Sequence, residues 1–118
     1  MTKKVLIVED EEDVAALIEE VLELEGFQAR IASGESALND ALSLRPDVVL
    51  LDLMMPGVDG FEVARRLQSH ARTRSVPIIV MTAMHDVARK AEEVGAASFL
   101  AKPFDINNLV DIVRDITE

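Results

Sequence analysis

The chain has 118 residues, 49% of them hydrophobic, with no cysteine, two histidines and a formal net charge of -10. That length suits one domain over residues 1–118 with no room for a second; disulfides and thiolate metal sites are excluded, a zinc site is disfavoured, and direct nucleic-acid binding is opposed by the charge. Met1–Lys4 leads into only four apolar residues before an acidic run, too short for a signal peptide or a membrane span, so a cytoplasmic chain without membrane insertion is expected.

The first strand is Val5-Leu6-Ile7-Val8, and it runs into Glu9-Asp10-Glu11-Glu12-Asp13, five acids in succession. Val14, Leu17, Ile18, Val21 and Leu22 then recur at helical spacing, and Gly26 ends that helix. Phe27, Ala29 and Ile31 alternate with Gln28 and Arg30, the pattern of a strand with one wetter face at a sheet edge. Ser33 is the expected N-cap of a second helix with Ala37, Leu38, Ala41 and Leu42 inward.

Val48-Val49-Leu50-Leu51 is a short continuous apolar run between Arg45-Pro46-Asp47 and Pro56-Gly57. It reads as a strand buried on both faces. Asp52 stands where this strand should leave the sheet, and a charge there needs a reason. It is not needed as a helix cap, because Asp59 beside Gly60 is better placed to cap the third helix, which buries Phe61, Ala64 and Leu67. The loop from Gln68 to Ser75 carries His70, Arg72 and Arg74; with Arg65 and Arg66 it makes a basic cluster that reads as solvated surface. Pro77 opens the fourth strand, Ile78 to Met81, which ends at Thr82. Asp86 is the expected cap of a fourth helix with Val87, Ala91 and Val94 inward, stopped by Gly95. Ser98–Ala101 is the fifth strand, followed by Lys102-Pro103-Phe104. Asp105 caps a last helix burying Leu109, Ile112, Val113 and Ile116.

Five strand-helix repeats imply a doubly wound α/β domain, a parallel sheet with helices on both faces and right-handed crossovers. All strand ends then share one edge, which gathers Glu9-Asp10, Asp52, Thr82 and Lys102. The second strand ends at Ala32 with no reactive group, and the order 2-1-3-4-5 makes it the outlying strand. Three carboxylates against one lysine call for a hard divalent cation, magnesium first and manganese as a substitute.

Glu9-Asp10, Asp52 within LLDLMMPGVDG, Thr82-Ala83 and Lys102-Pro103-Phe104 resemble the receiver domain of two-component response regulators, over essentially the whole chain. The resemblance implies a flavodoxin-like (βα)5 sandwich and a phosphoacceptor that promotes its own phosphoryl transfer and slow dephosphorylation, not an enzyme acting on other substrates. By resemblance, Asp52 is the nucleophile that becomes an aspartyl phosphate. Asp10, Asp52 and the Met54 carbonyl ligate magnesium, and Glu9 acts through water. Lys102 and the Thr82 hydroxyl receive the phosphoryl oxygens, and the Lys102-Pro103 bond is cis. Thr82 and Phe99 form the switch toward a face of the fourth helix, fifth strand and fifth helix. The implied partners are a histidine kinase or histidine phosphotransferase, docking near the start of the first helix and the loop after the fifth strand, and a downstream target protein. Glu11, Glu12 and Asp13 read as a solvated helix start.

The segment from Thr82 to Lys102 is a couple of residues shorter than the family's common pattern. Met54 and Met84 occupy positions that flank the path of hydrolytic water, and neither side chain orients water by a strong hydrogen bond. Three other functions compete. A phosphatase of the haloacid dehalogenase type wants a second acid where Met54 stands, and a flavin binder wants a phosphate-binding loop where this chain has its acidic run. A receiver-fold scaffold that binds proteins without phosphorylation would not require Asp10, Asp52, Thr82 and Lys102 together.

Overall fold

The structure, a computed structural model, describes residues 2–118. Seven strands and five helices alternate as β1 (Lys4–Val8), α1 (Glu12–Leu24), β2 (Gln28–Ala32), α2 (Ala37–Leu44), β3 (Val48–Asp52), β4 (Met54–Met55), β5 (Val58–Asp59), α3 (Gly60–Ser69), β6 (Ile78–Thr82), α4 (Val87–Glu93), β7 (Ser98–Ala101) and α5 (Ile106–Thr117). The five long strands form one sheet in the order β2-β1-β3-β6-β7, every pair parallel. That is the doubly wound order 2-1-3-4-5, with the β4-β5 hairpin inserted after β3.

Because both faces of the sheet are covered, its central strands carry unbroken apolar runs. Leu6, Val8, Val49, Leu51 and Val80 pack with Ala41 and Leu44 of α2, Ala64 and Leu67 of α3, and Ala91 of α4. On the other face Val5, Ile7, Leu50, Ile79 and Met81 meet Ile18 and Leu22 of α1 and Leu109 and Val113 of α5. Alternation along β3 puts Asp52 on the side of Leu50, toward α1 and α5.

Helix ends follow local chemistry with two departures. Gly26, at φ 95°, closes α1 in a Schellman arrangement: its N–H donates to the Glu23 carbonyl at 3.1 Å and the Phe27 N–H to Leu22 at 2.9 Å. Asp59 and Asp105 cap α3 and α5 by accepting from the N–H groups of Phe61 and Asn107. Ser33 does not start α2 directly. It makes a turn in which its hydroxyl accepts from the Ser36 N–H at 3.0 Å, and the helix begins at Ala37. Asp86 precedes α4 but makes no side-chain cap bond and lies in the left-handed region at φ 55°. In α1, Leu17 is 53% exposed while Ala15 is buried, so the helix is rotated to let its small residue face the sheet.

Candidate functional site

The site is assembled at the carboxyl ends of four long strands. Glu9 follows β1, Asp52 is the last residue of β3, Thr82 the last of β6, and Lys102 follows β7. Lys102 is placed by its backbone, whose N–H donates to the Thr82 carbonyl at 2.9 Å and extends the ladder one step beyond β7. The peptide bond from Lys102 to Pro103 is cis.

The Lys102 ammonium donates to Glu9 Oε1 at 2.6 Å and to Asp52 Oδ2 at 2.9 Å, bridging residues 93 and 50 positions away in the chain. Both carboxylates are buried, and Lys102 itself is only 15% exposed. Burial alone would push the Lys102 proton off; the bonds to Glu9 and Asp52 outweigh it and hold the ammonium above its usual range. Glu9 is moved upward too, chiefly by desolvation, with the Lys102 and Glu11 N–H bonds working against that. Glu9 is thus in direct contact with the lysine, a role that its place in an acidic run did not disclose. Glu11 ties back through its backbone N–H to Glu9, while its own carboxylate is 64% exposed and 3.8 Å from Lys102.

Asp10 is exposed at the mouth. Oxygens from Glu9, Asp10 and Asp52 all lie within 4.8 Å of one another. Three carboxylates and one ammonium leave two negative charges, and the donors are all hard oxygens, so these residues fit magnesium or manganese. Asp52 Oδ1 is held by the Met54 N–H at 2.9 Å, which also fixes the start of the hairpin.

Thr82 is fully buried one step beyond Met81, the residue paired with Asp52 across β3 and β6. Its hydroxyl accepts from the Met84 N–H at 3.2 Å. Met54 is 58% exposed and Met84 half-buried. Phe99 is 41% exposed on the edge strand β7 and is not a core residue. The basic cluster does not join the site: Arg65 and Arg66 pair with Glu62 on α3, whereas Asp52 pairs with Lys102. A groove of about 440 Å³ opens beside Lys102, lined by Val14, Leu17, Ala83, Pro103 and Phe104. Among the described residues, no helix is long and apolar enough to cross a membrane.

Two features had weak sequence signals. The β4-β5 hairpin pairs Met54 with Asp59 and Met55 with Val58, strands too short for alternation to show. Gly60 brings α3 against the end of β3: a Cβ there would stand 2.4 Å from the Leu53 Cα and 2.8 Å from the Asp52 carbonyl oxygen. Asp59-Gly60 is legible as a cap, not as this close approach.

Residues 5–114 match the response regulator receiver domain family. The sporulation initiation phosphotransferase F of Bacillus subtilis is 38% identical over 117 residues, covering 97% of this chain and 93% of that protein. The chain spans only 24% and 51% of two other regulators that it matches. A putative response regulator from Chloroflexus aurantiacus superposes with a TM-score of 0.89 at 38% identity, covering 99% of this chain and 98% of that one. The receiver domain of a Pseudomonas aeruginosa sensor histidine kinase, solved with magnesium coordinated in its active-site cleft, superposes at 0.87 with 28% identity, covering 99% and 98%.

Proposed function

The chain belongs to the response regulator receiver domain family of two-component systems, and from that membership we propose that Asp52 is its phosphoacceptor. One observation carries the assignment: Asp52 is a buried carboxylate with one oxygen on the Lys102 ammonium and the other on the Met54 N–H. An Asp52 oxygen bonds to phosphorus as the bond between phosphorus and the donor's imidazole nitrogen breaks. The imidazole leaves with that electron pair and takes a proton from solvent. Asp52 acts in a transfer that depends on positioning and charge compensation more than on proton movement.

Asp10, Asp52 and the Met54 carbonyl would hold the cation, with Glu9 acting through water. When bound, magnesium supplies positive charge to the phosphoryl oxygens on the side away from Lys102. Lys102 is already held protonated between two acids and supplies charge at the other side without reorganisation. Thr82 donates its hydroxyl to a phosphoryl oxygen. That reorientation changes the surroundings of Met84 and α4, and Phe99 on β7 swings toward the space that Thr82 leaves. The protein is a phosphoacceptor, not an enzyme acting on a separate substrate, and it works in the cytoplasm.

The donor is a histidine kinase or histidine phosphotransferase that covers the groove at Leu17, Pro103 and Phe104. An exposed leucine there, beside the charged site, suits the apolar face of a donor helix. The downstream target binds the α4-β7-α5 face. Met54 and Met84 give hydrolytic water no strong hydrogen-bonding partner, which supports a long-lived phosphate. Incubation with acetyl phosphate, with and without magnesium, tests the reading by intact-protein mass. A single magnesium-dependent, base-labile phosphate absent from Asp52→Asn is expected; phosphate of equal yield on Asp52→Asn would exclude Asp52.

A further inference from the structure

We infer that Gly34 is a positioning residue for the cation site: its missing side chain is the gap that lets the β4-β5 hairpin carry Met54 into place. The inference rests on the reading that the Met54 carbonyl helps to hold a divalent cation. Gly34 has no positive φ, unlike Gly26, Gly57 and Gly95, so its backbone does not require glycine. What requires glycine is space. A Cβ at Gly34 would stand 2.3 Å from Val58 Cγ1, 3.2 Å from Val58 Cβ and 3.4 Å from Met55 Cε. Val58 and Met55 are cross-strand partners in the hairpin, and Met54 pairs with Asp59 in the same two-residue ladder.

Which side yields to an added methyl decides the consequence. The loop carrying Gly34 is stiff, because the Ser33 hydroxyl accepts from the Ser36 N–H and the Ser36 hydroxyl accepts from the Ser33 N–H at 3.1 Å and donates to Asp40 at 2.8 Å. Val58 is branched at Cβ and has few alternative rotamers. Met55 is buried at 6% exposure and is backed by core. The hairpin is the weaker body, since isolated ladders of two residues per strand have little stability of their own. An alanine at position 34 therefore displaces the hairpin and takes with it the Met54 carbonyl and the Met54 N–H that holds Asp52 Oδ1. Gly60 seats the hairpin's other end but meets backbone atoms, so only the Gly34 contact can be relieved by a second substitution.

The test is magnesium chloride titration by calorimetry on the full chain, with thermal melting recorded beside it. Gly34→Ala should weaken magnesium binding about tenfold, the low end for losing a contact that supports metal ligands. Val58→Ala alone should change it less than about twofold, and Gly34→Ala with Val58→Ala should return to within about twofold of Val58→Ala, because the two positions act through one contact. Unchanged affinity in Gly34→Ala, or no recovery in the double variant, overturns the inference; a purely structural role would lower the melting midpoint and leave the affinity alone. Should Gly34→Ala fail to fold, the double variant decides: affinity equal to Val58→Ala supports the inference and a tenfold loss refutes it. Unaltered protein that binds no magnesium would sink the cation reading itself, and this inference with it.

Discussion

Two groups of residues at the sheet's carboxyl edge are held differently. In one, Lys102 ties Glu9 and Asp52 together across 93 and 50 residues of chain, with all three side chains largely out of solvent. The neighbouring helix α5 starts from a side-chain cap and buries Leu109, Val110 and Val113. In the other, the Thr82 hydroxyl has a single partner, the Met84 N–H, and α4 is seven residues long, starts from an uncapped left-handed Asp86 and buries only Ala91 within its span. On the proposed reading, the group that would meet the phosphoryl charge is pre-organised, and the group that would respond is lightly held. That division is what a switch needs, since elements that move are drawn from the less stable parts of a fold.

The largest effect should come from cutting the tied group. Lys102→Ala leaves two buried carboxylates without their cation, so metal-free protein should lose about 3 kcal/mol in urea denaturation. Phosphorylation should slow about 100-fold, and magnesium should restore much of the stability. The sign of the pH effect is fixed by Lys102, whose pKa is raised above its ordinary 10.5. Its contribution is fully present below 10.5 and is lost as pH climbs through the higher folded value, so on the alkaline side the deficit of Lys102→Ala should persist until strong alkali. An equal stability of the two proteins at neutral pH would mean that this group is not tied as described.

A smaller effect is expected on phosphate lifetime. Met54→Gln or Met84→Gln gives water a hydrogen-bonding partner near Asp52 and should hasten loss of phosphate about tenfold, below the full range of acid-base assistance. Unchanged decay in both variants, followed by mass, would remove the methionines from the account.

Phe99→Ala probes the lightly held group. Its phosphorylation rate should stay within about twofold, since Phe99 touches none of the charged groups, while the amide shifts that beryllofluoride induces in α4 should shrink. Loss of phosphorylation itself would place Phe99 in the site. The smallest effect belongs to Asp86→Gly. Relieving the left-handed backbone should stabilise the protein by about 0.5 kcal/mol, most of the conformational gain being offset by glycine's freedom in the unfolded chain. A drop in the melting midpoint would show that Asp86 makes a cap that the structure lacks.

The five long strands and their order were legible because both-sided burial writes itself as runs such as Val48–Leu51, and because parallel topology gathers every strand end on one edge. Asp10, Asp52, Thr82 and Lys102 were legible as polar residues at those ends. Leu17 shares the helical spacing of the apolar residues of α1 yet is exposed: periodicity names an apolar arc but not which part of it faces the sheet, and Ala15 takes that place. Asp86 looked like a cap because residue type does not report φ. Glu9 was legible at a strand end, but its bond to Lys102 was not, because residue type does not separate it from the four acids that follow it. Gly34 reads as a turn glycine, since sequence cannot show that Val58 stands 2.3 Å from where its Cβ would be.

The most direct measurement traps the phosphoryl group where it sits. Protein loaded from acetyl phosphate with magnesium is reduced with borohydride, which converts an aspartyl phosphate to homoserine, and the peptides are sequenced by mass spectrometry. Homoserine at position 52 and nowhere else is the predicted result. Homoserine at Asp10, or none in protein that has gained phosphate, would contradict the assignment of Asp52 and return the buried Lys102 bridge to a purely structural role.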